Sequence, residues 1–307
     1  MTPANFPVLS LRDIVKRYHN HVAVDHVSFD VAQGTIFGLL GPNGAGKTSL
    51  IRIITRITAA DSGSILLDGE PLHALHPSMI GYMPEERGLY KKMKVGEHLI
   101  YLAQLKGLSF REARKKVKYW LEKFDILDWW DKKIADLSKG MQQKIQFIAT
   151  IIHEPKLIIL DEPFSGLDPI NANLIKDEIY QLKEKGASIL FSTHRMEQVE
   201  EICEQIILIN QGRKILDGSV ADIRKAYKEN IFRIEYSGIG PDMLASNQLF
   251  DIKSSQSGVA VLQLKEGATS AEVLKNLLST GMDIQHYNEV LPTLNEIFIK
   301  KVSQSNA

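Results

Sequence analysis

Hydrophobic and polar positions alternate along the first forty residues in the manner of β-strands. The segments VLSLRDIVKRY and VSFDV alternate, whereas TIFGLLG is apolar on both faces, as expected for a strand buried in a sheet. A helical pattern runs from Lys47 to about Ile57, and LIILDEP and SILFSTH are predicted to be further buried strands. Because strands alternate with helices, we predict a mostly parallel sheet covered by helices on both sides.

The pattern from Val95 to Lys133 is helical and amphipathic, with leucines, aromatic residues and lysines at helical spacing. Its basic stretch, FREARKKVKYW, is most simply interpreted as a solvated helix face. We therefore predict a helical subdomain over about residues 95–150, inserted in an α/β domain that spans residues 1–217.

The pattern changes after about residue 217, where short strands such as IFRIEY and IQHYNEV replace the buried ones. Ser257 and Gly258 suit a hairpin turn, because both residue types tolerate tight turns between strands. TSAEVLKNLLSTG begins with capping-box spacing between Thr269 and Glu272, and PTLNEIFIKKV repeats that spacing. We predict a small α+β domain over residues 218–307.

Composition sets broad limits on function. The chain has 307 residues, which favours two domains, and its 37 basic residues balance 37 acidic ones. A neutral net charge favours neither nucleic acid nor a polybasic membrane anchor, so we predict no nucleic-acid partner. No apolar run approaches the roughly 20 residues of a membrane-spanning helix. The single cysteine, Cys203, excludes an intrachain disulfide and indicates a reducing compartment.

The segment GPNGAGKT follows an apolar strand and opens a helix, as a phosphate-binding loop does. Glycines let backbone N–H groups surround a phosphate, and the helix N-terminus adds the positive end of its dipole. Lys47 would reach the β- and γ-phosphates and Thr48 would ligate Mg²⁺, whereas the simpler alternative is a glycine turn with a chance Lys-Thr pair. The predicted nucleotide-binding residues of this segment are Gly41, Pro42, Asn43, Gly44, Ala45, Gly46, Lys47, Thr48 and Ser49.

Two adjacent acids end the apolar strand LIILDEP. Asp161 is suited to holding Mg²⁺, and Glu162 is suited to act as a general base on the attacking water. Solvated surface carboxylates are the alternative, but the strand is apolar and ligands bind at the carboxyl edge of such sheets. His194 ends the strand SILFSTH at the same edge, where its imidazole would stabilise charge on the γ-phosphate.

A second small-residue turn, LSKGMQQK at residues 137–144, precedes another helical pattern. A helix cap is its simplest interpretation. The chain already has a phosphate-binding loop, so the turn raises the question of why a second one is present.

Together these segments resemble the ATP-binding subunit of an ABC transporter, over residues from about 8 to 217. GPNGAGKT resembles Walker A, LIILDEP resembles Walker B with its catalytic glutamate, and SGLD resembles the D-loop. The resemblance implies a P-loop NTPase cassette in which Tyr18 stacks on adenine and His194 is the switch histidine. It also identifies LSKGMQQK with the family's signature sequence, so that Ser138 and Gly140 would contact the γ-phosphate of a nucleotide held by the opposing subunit.

The sequence departs from the family pattern at two places. Lys139 and Met141 stand in the signature where Gly and Gln are usual, which adds a positive charge and removes an amide. Glu85 stands where the Q-loop glutamine is usual. A carboxylate there would ligate Mg²⁺ but add negative charge beside phosphate, or it would swing away until the dimer closes.

The resemblance implies an ATPase with ATP and Mg²⁺ that drives a separate integral membrane permease subunit. The chain would form a homodimer or pair with another ATP-binding subunit, at the cytoplasmic face of the cell membrane as a peripheral protein. The spellings MPEERGLY and LSKGM and the C-terminal PTLNEIFIKK resemble NatA-like exporter ATPases. The alternative function is a soluble ABC ATPase in a non-transport process. For residues 218–307, the alternatives are packing or dimer support and a ligand-sensing module.

Overall fold

The structure is a computed structural model that describes residues 6–86, 88–238 and 246–305. The chain divides into two compact units after Val220, three residues beyond the predicted boundary at residue 217. Each unit has its own hydrophobic core.

The first unit contains two sheets that follow from the two hydrophobic patterns of the sequence. The alternating segments form an antiparallel sheet in the order β2-β1-β4-β5, and the apolar segments form a second sheet in the order β10-β9-β3-β8-β7-β6. In the second sheet only the edge strand β10 is antiparallel to its neighbour. The strands are β1 (Leu9–Tyr18), β2 (His21–Val31), β3 (Ile36–Leu40), β4 (Ser62–Leu67), β5 (Glu70–Pro71), β6 (Ile80–Met83), β7 (Leu157–Asp161), β8 (Ser188–Thr193), β9 (Gln205–Asn210) and β10 (Arg213–Ser219).

The helices of the first unit contribute buried apolar residues to its core. One cluster of buried residues includes Leu50 and Ile54 of the first helix together with Phe29 and Leu39 of the sheets. Burial of this apolar surface is the main force that holds the layers together. The helices are α1 (Lys47–Ile54), α2 (Val95–Leu105), α3 (Phe110–Lys123), α4 (Lys139–Ile151), α5 (Pro169–Glu184) and α6 (Met196–Ile202).

Helix α1 is shorter than the hydrophobic pattern predicts. It ends at Ile54, and Arg56 then adopts a left-handed conformation with φ 60°. The N–H of Ile57 donates to the carbonyl of Arg52 at 2.8 Å, which closes a Schellman motif. The prediction of a helix to about Ile57 is therefore wrong by one turn.

The predicted helical stretch from Val95 to Lys133 forms two helices rather than one. Gly107 ends α2 in the left-handed conformation, with φ 95°. Ser109 then caps α3, and its capping box with Glu112 satisfies N–H groups that the helix leaves free. After α3 the chain forms short 3₁₀ turns up to the start of α4, because Asp125, with φ 53°, stops the helix.

The second unit is an antiparallel sheet in the order β12-β13-β11-β14 with helices beside it. Ser257 and Gly258 form the predicted two-residue hairpin turn, both with positive φ. Thr269 and Glu272 form the predicted capping box. The elements are α7 (Val220–Ala226), β11 (Ile231–Ser237), β12 (Phe250–Gln256), β13 (Val259–Leu264), α8 (Ser270–Ser279), β14 (Asp283–Val290) and α9 (Leu294–Ser305).

The helices that the structure describes are too short or too polar to cross a bilayer. Within the described part of the chain, none combines the length and the apolar composition that a bilayer crossing requires.

Candidate functional site

The order of the strands brings three sequence motifs to one edge of the parallel sheet. Strand β8 lies between β3 and β7 and is hydrogen-bonded to both. The glycine-rich loop follows β3, the two acids end β7, and His194 follows β8. All three motifs therefore lie at the carboxyl ends of neighbouring strands, where open α/β sheets bind ligands.

The glycine-rich loop is held in a conformation that only glycine adopts without strain. Gly46 has φ 107°, and a Cβ atom added to it would lie 2.3 Å from the carbonyl oxygen of Ala23. Gly44 also has positive φ, but a Cβ there would meet nothing within 4 Å. One glycine thus fits the loop against β2, and the other keeps the surface of the loop open toward the cavity.

Lys47 lies inside the glycine-rich loop and is almost completely buried. Its Nζ donates to the carbonyl oxygens of Gly41 at 2.7 Å and Pro42 at 3.1 Å. Burial lowers the pKa of the ammonium, against the opposing effect of nearby acids. The loop therefore keeps a cation close to the space above its backbone N–H groups.

Asp161 ends β7 as a buried carboxylate. It accepts a hydrogen bond from the Ser192 hydroxyl at 2.7 Å. Burial raises the pKa of the Asp161 carboxyl, and the negative charges of Glu85 and Glu162 raise it further against the effects of Ser192 and Lys47. A divalent cation would relieve this electrostatic cost. The crowding of acids around Asp161 therefore fits Mg²⁺, which prefers carboxylate and hydroxyl oxygens.

Glu162 adopts a left-handed conformation, with φ 52°, directly after the strand. Its carboxylate accepts from the Thr193 hydroxyl at 3.0 Å and from the His194 N–H at 2.8 Å. The Nδ1 atom of His194 lies 2.6 Å from the same carboxylate. Three contacts from the end of β8 thus fix the predicted general base, and the predicted switch histidine contacts that base directly.

A cavity of about 380 Å³ is lined by seven of the nine predicted phosphate-loop residues, whereas Gly41, Pro42 and His194 are not among its lining residues. Tyr18, at the end of β1, lies on one wall, and Glu85, Asp161 and Glu162 lie with it around the same space. The loop residues that line the cavity are Asn43, Gly44, Ala45, Gly46, Lys47, Thr48 and Ser49. A phosphate loop, acids suited to Mg²⁺ and an aromatic ring are thus brought together, as binding of a nucleoside triphosphate requires.

The signature turn is not part of this cavity. Ser138 is exposed and caps α4, accepting from the N–H of Met141 at 3.2 Å. Lys139 is exposed beside it, and Gly140 is half-buried, with the carbonyl of Gly166 3.4 Å from the position of a Cβ. Hydroxyl, cation and helix N-terminus therefore lie close together, in an arrangement suited to an anion and outside the lining of the chain's own cavity.

Comparison with known proteins places these motifs in a family. A family model described as ABC transporter matches residues 24–165, and one described as the C-terminal domain of DrrA1-3-like ATP-binding proteins matches residues 218–302. The ABC transporter ATP-binding protein YhaQ of Bacillus subtilis, itself uncharacterized, is 42% identical over 295 residues, which cover 96% of this chain and 98% of the relative. This chain belongs to the ATP-binding proteins of ABC transporters.

Other known proteins agree with this assignment of the ABC ATPase. The Nod factor export ATP-binding protein I of Burkholderia thailandensis is 37% identical over 214 residues, covering 69% of this chain and 70% of that protein. A solved ATP-binding subunit of an ABC transporter superposes with a TM-score of 0.67 at 32% identity, covering 72% of this chain and 93% of the other. The predicted family, the cassette fold and the ATPase activity are thereby confirmed.

Sequence reasoning missed four residues of this ABC ATPase site. Ser192 and Thr193 bind the two acids, and their signal was present, because the hydroxyls end a strand that pairs in register with β7. His21 and Ala23 line the cavity together with the phosphate loop. Their position follows from the tight turn after Tyr18, which pairs His21 with that tyrosine.

An apolar groove of about 350 Å³ lies in the cassette beside the nucleotide cavity. Leu102 and Leu105 of α2 form one side, Pro84 and Leu89 of the loop after β6 form another, and Gln146 of α4 belongs to the same lining. Leu105 is 63% exposed, so the groove presents apolar surface to its surroundings. A contiguous apolar surface of this kind is typical of a protein contact site.

A cluster of Glu70, His73 and His76 in the ABC ATPase has ligand atoms close enough for a metal ion. The Nδ1 atoms of both histidines accept backbone N–H groups, at 3.0 Å for His76 and 3.3 Å for His73. The Nε2 atoms lie 3.6 and 3.9 Å from the Glu70 carboxylate, beyond hydrogen-bond distance. With each Nδ1 occupied by a backbone N–H, the ligand atoms that remain are Nε2 of each ring and the Glu70 carboxylate.

Proposed function

We propose that this ABC ATPase is the energy-supplying subunit of an exporter and works as a dimer on an integral membrane permease. The dimer consists of two copies of this chain or of this chain and a paired ATP-binding subunit. ATP is held between the two subunits and hydrolysed there. The subunit is peripheral and lies at the cytoplasmic face of the cell membrane.

The cavity residues suit the first half of this cycle. Tyr18 stacks on the adenine ring, and the backbone N–H groups from Gly44 to Thr48 surround the phosphates. Lys47 leaves the carbonyl oxygens that it contacts and turns to the β- and γ-phosphates. This exchange is favourable because a charge-assisted contact with phosphate replaces two contacts with neutral carbonyls.

Thr48, Asp161 and Glu85 would hold Mg²⁺ in the same cavity. The chemistry supplied by Mg²⁺ bound to these residues would be neutralisation of negative charge on the nucleotide phosphates. The buried Asp161 retains its hydrogen bond from Ser192 and so remains aimed into the site.

Glu162 and His194 suit the hydrolytic step. Thr193 and the backbone of His194 orient the Glu162 carboxylate, which accepts a proton from the attacking water. The imidazole of His194 contacts Glu162 through Nδ1, and in the imidazolium form its Nε2–H would donate to charge that develops on the γ-phosphate. The partner's signature turn supplies the remaining contacts to that phosphate.

The exposed position of Ser138, outside the cavity that holds the phosphate loop, is the observation that carries this proposal. A serine and a helix N-terminus that face away from their own site become useful when a second subunit presents a nucleotide to them. Closure then depends on the γ-phosphate, and loss of that phosphate opens the dimer.

The apolar groove is the surface that we assign to the permease. It combines α2 with the loop that carries Glu85, so an occupant would contact the helical subdomain and the nucleotide site together. The direction of transport is proposed from a relative, because the Nod factor protein is described as an export ATP-binding protein.

Membrane retention tests this function. Leu105→Glu places a charge on the exposed rim of the groove, whereas Leu278→Glu changes a leucine of α8 that is 53% exposed. We expect the first variant to lose co-sedimentation with membranes that contain its permease and the second to keep it, while both still bind ATP. Equal retention of the two variants would refute the groove as the docking site.

A further inference from the structure

One peptide separates the groove from the nucleotide cavity. Pro84 lines the groove, and the next residue, Glu85, lines the cavity beside Asp161. Tyr82, two residues earlier, also lines the groove, yet its surroundings include the acids of the cavity. Burial raises the pKa of Tyr82 to about 12, and the negative charge of Asp161 contributes to the rise. The loop after β6 therefore lies between the apolar groove on one side and the acidic nucleotide cavity on the other.

Gln146 is hydrogen-bonded to this loop from the groove side. It is a buried residue of α4, and its Nε2 donates to the carbonyl oxygen of Pro84 at 2.6 Å. The proline ring fixes one of the two soft dihedrals at residue 84, so the place of its carbonyl largely sets where Glu85 begins. A hydrogen bond to that carbonyl consequently constrains the carboxylate on the far side.

Helix α4 also contacts the loop that carries Glu162, through a residue that lies one turn before Gln146. Gln143 is buried in α4 and donates to the carbonyl of Pro163 at 2.9 Å, directly after Glu162. Residues three apart lie on one face of a helix. Helix α4, which begins at the signature turn, is thus hydrogen-bonded both to the loop that carries Glu85 and to the loop that carries Glu162.

Stability alone does not account for Gln146. Its Oε1 atom is buried and has no hydrogen-bond partner among the described residues. A half-satisfied buried amide is costly relative to an apolar side chain of similar size. A methionine would fill the same place in the groove lining without the unpaired Oε1, but it would remove the donor to the Pro84 carbonyl, so the amide is explained by the bond that it makes.

We propose that Gln146 is a positioning residue that sets the place of Glu85 through the Pro84 carbonyl and so tunes Mg²⁺ binding at the nucleotide site. The inference rests on the proposed nucleotide site, whereas the permease is not needed for it. Because Gln146 also lines the groove, an occupant of the groove acts on Glu85 through this side chain.

A Mg²⁺ titration of the full-length chain with bound fluorescent ATP analogue tests the proposal by binding rather than by turnover. In Gln146→Met, loss of one hydrogen bond is expected to raise the half-maximal Mg²⁺ concentration about three- to tenfold, with Mg²⁺-free nucleotide binding unchanged. Thr150→Val is the matched control, since Thr150 lines the groove from the same helix and bonds only to the backbone of Gln146. A wild-type titration for Gln146→Met would overturn the proposal.

A double-mutant cycle separates positioning from a general loosening of the fold. Combined with Glu85→Gln, Gln146→Met should add little, because the carboxylate through which it acts is gone. Additive effects would show that Gln146 does not act through Glu85. A single cooperative thermal unfolding transition of Gln146→Met confirms that the variant folds. If the membrane-retention test of Leu105→Glu contradicts the permease assignment, the outcome of this titration does not change. If the wild-type chain itself shows no Mg²⁺-dependent change, that result counts against the nucleotide site.

Discussion

The phosphate loop and the signature turn are similar local structures, each at a helix N-terminus, in two different surroundings. Each places small residues before a helix, α1 in one case and α4 in the other, and neither helix has an acid in its first turn. In α3 and α8, by contrast, Glu112 and Glu272 occupy the first turn and complete capping boxes. Acids there would neutralise the helix dipole, so both acid-free termini remain available to an anion.

The surroundings of the two turns differ completely. Gly46 packs against the backbone of β2, and Lys47 is buried beside the acids of the cavity. Ser138 and Lys139 are exposed and do not line the cavity that contains those acids. The helix terminus at the phosphate loop thus belongs to a cavity built by its own chain, whereas the terminus at the signature turn lies outside that cavity. The comparison shows that a helix N-terminus suited to an anion is not sufficient for a binding site, because the other residues of the site come from the rest of the fold or from a partner subunit.

Replacement of Glu162 is expected to have the largest effect, because the general base lies only on the phosphate-loop side. Glu162→Gln should lower kcat by about 10²–10⁴-fold while ATP still binds. Closure then outlasts hydrolysis, so ATP should drive this variant to a stable dimer in size-exclusion chromatography. A wild-type turnover number would remove Glu162 from the role of base.

Complementation between two inactive chains separates the two termini most directly. Lys47→Ala damages the phosphate loop and Ser138→Arg blocks the signature turn, and each alone should lower ATP hydrolysis about 10²–10³-fold. A mixed dimer contains one site with both elements intact, so an equal mixture should recover up to about a quarter of the wild-type rate.

The recovery in the mixture is measured against either variant alone, at the same total concentration. If mixing restores nothing while Ser138→Arg alone fails to bind ATP, the serine belongs to its own chain's cavity and the comparison breaks down.

Two glycine replacements sharpen the contrast, because one is expected to have a large effect on the isolated chain and the other none. Gly46→Ala forces a Cβ into the Ala23 carbonyl at positive φ, so it should destabilise the chain by about 1–3 kcal/mol and abolish nucleotide binding. Gly140→Ala meets only an ordinary contact with Gly166, so thermal unfolding and ATP binding by the isolated chain should not change.

The second replacement should instead weaken the ATP-dependent dimer, because we propose that Gly140 contacts the phosphate of the partner's nucleotide. Differential scanning calorimetry and nucleotide titration check the first variant, and ultracentrifugation with ATP checks the second. Similar losses of stability in both variants would contradict the difference in packing between the two turns.

Much of the cassette could be predicted because its motifs are local. The strand before GPNGAGKT, the acids that end LIILDEP and the capping box at Thr269 each depend on residues close in sequence, and the structure places them as predicted. The length of α1 could not be predicted, because apolar residues continue through Ile57 and only the backbone of Arg56 reveals the stop. The break at Gly107 was likewise hidden beneath a continuous amphipathic pattern.

The predicted site residues divide in the same way. Residues of one motif, such as Lys47 and Thr48, could be identified together. Contacts between motifs could not, since hydrogen bonds such as Ser192 to Asp161 depend on which strands are neighbours. The roles of Glu85 and Met141, the departures from the family pattern, remain predictions, as do Tyr18 at adenine and the function of residues 218–307.

By itself, the sequence determined which chemical groups this protein has and which local conformation presents them, because glycine backbones, helix termini and strand ends are set by neighbouring residues. Tertiary structure alone decided that Glu85, Asp161 and Lys47 share a cavity while Ser138 is left outside it. It also decided that the acid-bearing loop is one peptide away from an apolar groove and is held by Gln146. The physical reason is that strand order and helix packing are fixed by burial of apolar surface over the whole domain, which no single segment specifies.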